Sequence, residues 1–313
     1  MSAWKILITD GLEESGKAIL RKSAEVVDNP TITAEELLQV VGEYDALVVR
    51  GRTKVTAAVF EAGKKLKAVG RAGVGVDNID LTAAKEHKVT VVNSPLATTI
   101  AVAELTLAHM LAAVREIARA DAGLKGGKWL KKELEGAELC GKTLGVIGFG
   151  RIGAAVTQRA KAFDMKVVGY DPLVKAEDIK ARGGEPVSLD ELLAQADMIT
   201  MHLPLTADTK SMLNDAAFAK MKQGVYIICA ARGGVIDEAA LLAALNSGKV
   251  AGAALDVFAT EPPGLTDLVA HPKVVCTPHI GAQTVEAQIR AANDISEEIL
   301  AALEDKPLRW KVA

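Results

Sequence analysis

Cysteine is scarce in this 313-residue chain, and the three present, Cys140, Cys229 and Cys276, are odd in number and far apart. That spacing excludes a disulfide framework or a CxxC site and leaves each as a small buried hydrophobe. Aromatic residues make up 4%, no basic stripe is interleaved with them, and the net charge is −3. Such a surface is not built to track a polyphosphate backbone, so no nucleic-acid partner is expected. Long apolar runs are also absent. The most apolar helical stretch, Ile100–Val114, is interrupted by Glu104, Thr106 and His109 and is too short to cross a bilayer, so no membrane partner is expected. HExxH, clustered Cys/His and acidic cation loops are missing, which argues against a metal. With no GxSxG elbow and no GKS or GKT loop, nucleophilic hydrolysis and phosphoryl transfer from ATP lack their usual parts. The opening MSAWKILITDG reads as a strand running into a turn rather than a secretory leader, so a cytoplasmic location is expected.

What is present is a globular composition, 50% hydrophobic and 25% charged, with a length suited to two domains. Up to Pro95, strands at Lys5–Asp10, Ala24–Val27, Ala46–Val49, Leu66–Val69 and Val89–Val92 alternate with helices. The helices are Leu12–Arg21, one opened by a Thr33/Glu36 capping box, Ala57–Lys65 and Leu81–His87. An apolar helix, Ile100–Ala118, follows. Lys125, Lys128, Lys131 and Lys132 around Trp129 then read as a solvated loop. A second α/β series runs through helix Ser188–Ala196, strands Met198–Met201 and Val225–Cys229, helix Asp237–Leu245 and strands Ala251–Val257 and Val274–Cys276. Helix Val285–Leu303 and a strand-like Leu308–Val312 close the chain. The expected fold is α/β, with two Rossmann/flavodoxin-like doubly wound parallel-sheet lobes and a cleft between them. Residues 1–97 with 286–313 would form the substrate lobe and 98–285 the nucleotide lobe.

The second series opens on Lys142–Asp171, KTLGVIGFGRIGAAVTQRAKAFDMKVVGYD. Gly148 permits the tight turn, Gly150 lets backbone approach a pyrophosphate, and Gly153 lets helix pack on strand. The helix N-terminus, at Arg151 and Ile152, offers unpaired N–H groups. Asp171 is placed to accept hydrogen bonds from the adenosine ribose hydroxyls, which favours NAD over NADP because a carboxylate repels a 2′-phosphate. Alone, the motif also fits a tightly packed βαβ unit with no ligand.

Five histidines are available for proton transfer. His87 and His271 read as surface residues and His109 as a core or interface residue. His202, in Met-His-Leu-Pro, either lines the cofactor site or caps a strand. His279, in Thr-Pro-His-Ile-Gly, is the best acid/base candidate. Glu261, in Thr-Glu-Pro-Pro, can orient an imidazole, and Arg232, in Ala-Arg-Gly-Gly, can hold a carboxylate at two points. The bland alternative is an ordinary Arg232–Glu261 ion pair with His279 in a turn.

From Ile6 to about Glu298 the chain resembles the NAD-dependent D-2-hydroxyacid dehydrogenases. The matching stretches are Val48-Val49-Arg50 with Thr53-Lys54-Val55-Thr56, then Gly70-Arg71-Ala72-Gly73-Val74-Gly75-Val76-Asp77-Asn78, Gly127-Lys128-Trp129 and the fingerprint. Ala231-Arg232-Gly233-Gly234-Val235-Ile236-Asp237-Glu238, Ala253-Ala254-Leu255-Asp256-Val257-Phe258 and Thr277-Pro278-His279-Ile280-Gly281-Ala282 complete them. The resemblance implies His279 as acid/base, Glu261 as its partner and Arg232 as anchor for the substrate's carboxylate and keto oxygen. It implies that Asp256 holds the nicotinamide amide. Val74, His202, Leu203 and Pro204 would touch NAD, as would Ala230, Ala231, Arg232, His279, Gly281 and Ala282. Backbone at Gly73, Val74 and Gly75 would receive the substrate carboxylate. Arg50 and Arg71 match positions that face phosphate in members acting on 3-phospho-D-glycerate, the entry to serine synthesis, so a phosphorylated 2-hydroxy acid is the expected substrate.

The resemblance also implies a homodimer or homotetramer, with Ile100–Val114 as its seam. Since the chain stops at Ala313, without the serine-binding domain of longer members, feedback by serine through such a domain is not expected. Three departures bear on substrate more than on reaction type: Ala97-Thr98 after Pro95-Leu96, Cys229 before the Ala230-Ala231-Arg232 turn, and Leu203 near the cofactor. Hydroxypyruvate, glyoxylate and D-lactate are the alternative substrates within the same chemistry. A non-catalytic NAD-sensing module would need a peptide groove or a long disordered tail, and no such tail is read.

Overall fold

Runs such as Ile6-Leu7-Ile8 and Leu47-Val48-Val49 are apolar at every position because parallel strands covered on both faces bury both sets of side chains. The computed structural model describes residues 4–313, and all element counts are of those residues. Met1–Ala3 of the opening stretch lie outside them. The chain divides into two units, one formed by residues up to Thr98 with Ala282–Ala313, the other by Thr99–Gly281.

In the first unit five strands, β1 (Trp4–Ile8), β2 (Ala24–Asp28), β3 (Ala46–Val49), β4 (Ala68–Arg71) and β5 (Thr90–Asn93), pair in parallel in the order β2-β1-β3-β4-β5. Helices α1 (Glu14–Leu20), α2 (Ala34–Val40), α3 (Ala57–Ala62) and α4 (Leu81–Glu86) connect them. Leu7, Leu47, Val49 and Val69 share one core with Leu37, Val59 and Phe60 from α2 and α3. Ile6, Ile8, Val48 and Val92 share the other with Ile295 and Ile299 of the last helix, Val285–Leu303. The Thr33/Glu36 capping box forms as expected. The chain end returns to the sheet, where Val312 N donates to Val91 O at 2.7 Å. Glu298, 2% exposed, fastens that return by accepting from Arg309 N, Arg309 Nε and Trp310 N.

The second unit begins with α5 (Thr99–Val114) and α6 (Ile117–Lys125). Its strands are β6 (Thr143–Ile147), β7 (Lys166–Tyr170), β8 (Glu185–Pro186), β9 (Met198–Met201), β10 (Val225–Cys229), β11 (Val250–Leu255) and β12 (Val274–Cys276). All pair in parallel, in the order β12-β11-β10-β9-β6-β7-β8. The order reverses on either side of β6, and its C-terminal end is therefore the topological switch point where such sheets bind ligands. Helices α7 (Arg151–Lys161), α8 (Ala176–Ala181), α9 (Leu189–Gln195), α10 (Asp215–Lys220) and α11 (Glu238–Asn246) link the strands, and α12 is the Val285–Leu303 helix of the first unit.

Several local expectations differ: Cys140 is exposed and Cys276 half-buried rather than buried, and Leu308–Val312 carries an isolated bridge, Val92 with Lys311, in place of a strand. The apolar helix ends at Val114 rather than Ala118, because Glu116 adopts a left-handed backbone (φ 47°) that breaks it. Residues 117–125 then form α6, a separate helix with no buried residue, which the sequence reading does not separate from the apolar helix before it.

Candidate active site

The C-terminal end of β6 turns at Gly148 (φ +92°), whose N–H donates to Tyr170 O at 2.8 Å. A Cβ on Gly153 would lie 2.2 Å from Gly148 O, so only glycine lets α7 start this close to the strand. Around Gly150 an added Cβ meets nothing within 4 Å, and no side chain caps α7. The first-turn N–H groups and the positive end of the helix dipole are thus available to an anion. Asp171, just past β7, accepts from Phe149 N at 2.7 Å and from Leu173 N and Val174 N. Those bonds fix the carboxylate to the glycine turn and use about three of its four lone-pair sites. An uncapped helix end, an open glycine and a rigid carboxylate fit the pyrophosphate and ribose of a dinucleotide.

His202, after β9, donates its backbone N–H to Ile147 O at 2.7 Å, and its Nε2 pairs with Thr200 Oγ1 at 3.1 Å. Burial pulls this imidazole down to about 3, so it is neutral throughout the working range. Leu203 is buried, Pro204 O accepts from Thr209 Oγ1, and Ala230 and Ala231 are buried beyond β10. A pH effect on stability follows. Because the folded pKa lies below the unfolded value, the unfolded chain binds the extra proton as pH falls through about 6.5. Stability from this group is intact above that pH and is lost on acidification toward about 3, by up to roughly 1.4 kcal/mol per pH unit. His202→Gln should flatten the fall in unfolding free energy between neutral and acidic pH; an unchanged slope would contradict the assignment.

Arg232 follows the same strand and donates from Nη1 to Ala231 O at 2.7 Å. Burial pushes the Cys229 thiol up to about 11, so it stays protonated as a weak donor toward Arg232 O at 3.9 Å. Cys229 therefore supports the backbone of the arginine turn. His279 Nδ1 lies 2.8 Å from Glu261 Oε2, while Glu261 Oε1 accepts from Phe258 N at 3.1 Å. A donor bond from Nδ1 to the carboxylate fixes the tautomer and leaves Nε2 to exchange a proton. His279 itself has φ +53°, a left-handed conformation that costs a non-glycine residue about 1–2 kcal/mol. It is held there by its N–H to Asp256 O at 2.9 Å. Asp256 is 1% exposed, and its carboxylate accepts from Thr277 Oγ1, Ile280 N and Gly281 N at 2.6–2.8 Å. About one lone-pair site of the carboxylate remains open.

In the first unit, Arg50 follows β3 and Asp10 follows β1, flanking that sheet's own switch point. Asp10 accepts from Arg50 N, Thr53 N and Thr53 Oγ1 and pairs with Arg52, while Asn78 Nδ2 donates to Arg50 O and Thr53 O. The Arg50 guanidinium reaches Gln283 Oε1 at 3.3 Å. Arg71 donates to Ala72 O, and a Cβ on Gly73 (φ +144°) would fall 1.5 Å from Arg71 Nη1, so glycine makes the room for that guanidinium. Asn93 Nδ2 donates to Val74 O and Ser94 N to Gly73 O, tethering the Gly73–Gly75 backbone to the end of β5. Ala97 and Thr98 are buried, and Ala97 O accepts from Arg290 Nε.

Arg232, Glu261, His279, Asp256 and the glycine turn thus lie in the second unit. Arg50, Arg71, Gly73–Gly75 and Ala282 lie in the first. Sequence reasoning missed Asp10 and Thr277 as organisers and Asn78 as a clamp, although Asn78 and Thr277 stand inside the quoted motifs. Among the described residues, no group of His, Cys, Asp and Glu could hold a metal ion, and no helix is long and apolar enough to cross a membrane.

With this geometry in place, residues 107–281 match the model of the D-isomer specific 2-hydroxyacid dehydrogenase NAD-binding domain. The chain belongs to that family, and its cofactor is NAD. It is 50% identical to the D-3-phosphoglycerate dehydrogenase of Methanocaldococcus jannaschii over 96% of this chain and 57% of that one. It is 47% identical to the hydroxypyruvate reductase of Thermotoga maritima over 97% of this chain and 99% of that one. The structure superposes on a glyoxylate reductase from Paecilomyes thermophila with a TM-score of 0.91 and 31% identity, covering 100% of this chain and 99% of that one. The chain spans about half the length, 48–58%, of the first phosphoglycerate dehydrogenases it matches.

Proposed function

We propose that the protein oxidises 3-phospho-D-glycerate to 3-phosphohydroxypyruvate with NAD, the entry to serine synthesis. The observation that carries this reading is the Arg50/Arg71 pair, two guanidinium groups at the ends of β3 and β4, with Asp10 and Asn78 fastening the Arg50 backbone and Gly73 making room for Arg71. Two such forks suit a phosphate dianion, which a lactate or glyoxylate site does not need to hold.

Arg232 holds the substrate's carboxylate and C2 oxygen, and backbone at Val74 and Gly75 receives the carboxylate. Bound NAD supplies the hydride acceptor. His279 Nε2 takes the proton of the C2 hydroxyl as the C2–H electron pair leaves and the C=O forms. Glu261 stabilises the resulting imidazolium through Nδ1. Asp171 sets NAD over NADP.

Arg71→Ala should lower kcat/KM for the phosphorylated acid by about 10²-fold, the loss of a charge-assisted fork, and leave D-glycerate nearly unaffected. Equal losses on both substrates would remove the phosphate reading. A second reading, reduction of hydroxypyruvate or glyoxylate, is supported by one observation: the near-complete mutual coverage with the Thermotoga maritima hydroxypyruvate reductase. The same ratio separates the two.

A homo-oligomer is part of the proposal. Ile117, Leu124 and Trp129 are exposed, Trp129 at 79%, on and just after a helix that buries nothing in its own chain. Exposed apolar side chains of that kind suit a second copy of the chain. Leu124→Glu with Trp129→Glu should halve or quarter the mass seen by light scattering; an unchanged mass would place the contact elsewhere.

A further inference from the structure

His109 takes no part in the chemistry proposed above, yet it is a titratable side chain buried at 2% exposure on α5. Its Nε2 lies 3.0 Å from Thr277 Oγ1, which in turn lies 2.6 Å from Asp256 Oδ1. A hydroxyl has one proton to give, and a carboxylate already receiving two backbone N–H groups can only accept it. Thr277 Oγ1 therefore donates to Asp256 and accepts from His109, which makes His109 the Nε2–H tautomer. The remaining nitrogen is consistent with that direction: Nδ1 is buried with no hydrogen-bond partner. Burial also lowers the pKa of this imidazole, keeping it neutral.

A buried ring nitrogen left without a partner is destabilising, a cost that a leucine of similar volume would avoid. Packing alone therefore does not account for an imidazole here, whereas a directional N–H does. The far end of the chain identifies its use. Asp256 accepts from Ile280 N and Gly281 N through its carboxylate and from His279 N through its carbonyl. It is the hub of the loop that holds His279 in its left-handed conformation. We propose that His109 is a positioning residue for His279, fixing the rotation of the Asp256 carboxylate through Thr277 and so the placement of the imidazole. This inference rests on the reading of His279 as the acid/base.

The test compares His109→Leu, His109→Gln and Thr277→Val in the full chain, with His279→Asn measured alongside. Glutamine can present an N–H where Nε2–H stood, and leucine and valine remove one end or the middle of the chain. His109→Leu and Thr277→Val should each lower kcat by about 10-fold with substrate KM unchanged, as expected of a sub-ångström misplacement. His109→Gln should recover most of the loss, and the thermal midpoint of His109→Leu should not fall. Nitrogen NMR of the wild-type protein should show His109 protonated at Nε2, bare at Nδ1 and not titrating near neutrality. An unchanged kcat in His109→Leu, no recovery with glutamine, or the opposite tautomer would each overturn the positioning role. If His109→Leu is inert while His279→Asn is inactive, only this inference falls. If His279→Asn retains full turnover, the acid/base reading falls and takes this one with it.

Discussion

Replacing His279 by asparagine should lower kcat by about 10²–10⁴-fold, the usual contribution of a positioned acid/base, while NAD binds as in the wild type. The separation of the two effects follows from where the groups stand. His279 is held by Glu261 and Asp256, whereas the glycine turn and Asp171 form their own hydrogen-bonded cluster at the ends of β6 and β7. Asparagine is compatible with the left-handed backbone at this position, so the variant removes the imidazole without adding backbone strain. Steady-state turnover together with NADH titration by fluorescence gives both quantities. Turnover near wild type with intact cofactor binding would mean that another group moves the proton.

Arg232→Lys should be nearly as damaging, with kcat/KM reduced by about 10²–10³-fold, the scale seen when one donor to a developing oxyanion is removed. Lysine keeps the charge and loses the planar fork, so carboxylate and C2 oxygen can no longer be held together. The loss should appear in kcat as well as KM, because the C2 oxygen contact strengthens as the carbonyl develops. The buried Cys229 holds the turn through the backbone carbonyl of residue 232, a contact that this variant keeps. A loss confined to KM would reduce Arg232 to a ground-state carboxylate clamp.

The parallel architecture is legible in the sequence because doubly covered strands are written as unbroken apolar runs, and α12 appears with the limits its amphipathic pattern indicates. The short α10 and the exposed α6 are not legible. Six residues carry too few turns for a period, and the left-handed Glu116 that separates α6 from α5 leaves no mark in the residue types. At the site, the residue types and motifs single out His279 and Glu261, and the fold brings them to 2.8 Å. The Asp256 hub is different in kind. From sequence, a carboxylate ending a strand offers its lone pairs to a ligand, and only the path of residues 277–281 reveals that backbone and Thr277 take most of them. Asp10 and Asn78 are hidden for the same reason, since they meet the Arg50 loop across 40 and 28 residues of chain.

Hydride removal from a D-2-hydroxy acid is the proposed reaction, with phosphate recognition deciding which one. Its most direct test is NADH formation by the purified protein given NAD and, in turn, 3-phospho-D-glycerate, D-glycerate and D-lactate, with NADH consumption on hydroxypyruvate and glyoxylate as the reverse arm. Turnover is expected throughout the class, with 3-phospho-D-glycerate preferred in kcat/KM and that preference lost in Arg71→Ala. Preference for an unphosphorylated acid would contradict the phosphate assignment, and no turnover of any of these acids would contradict the mechanism itself.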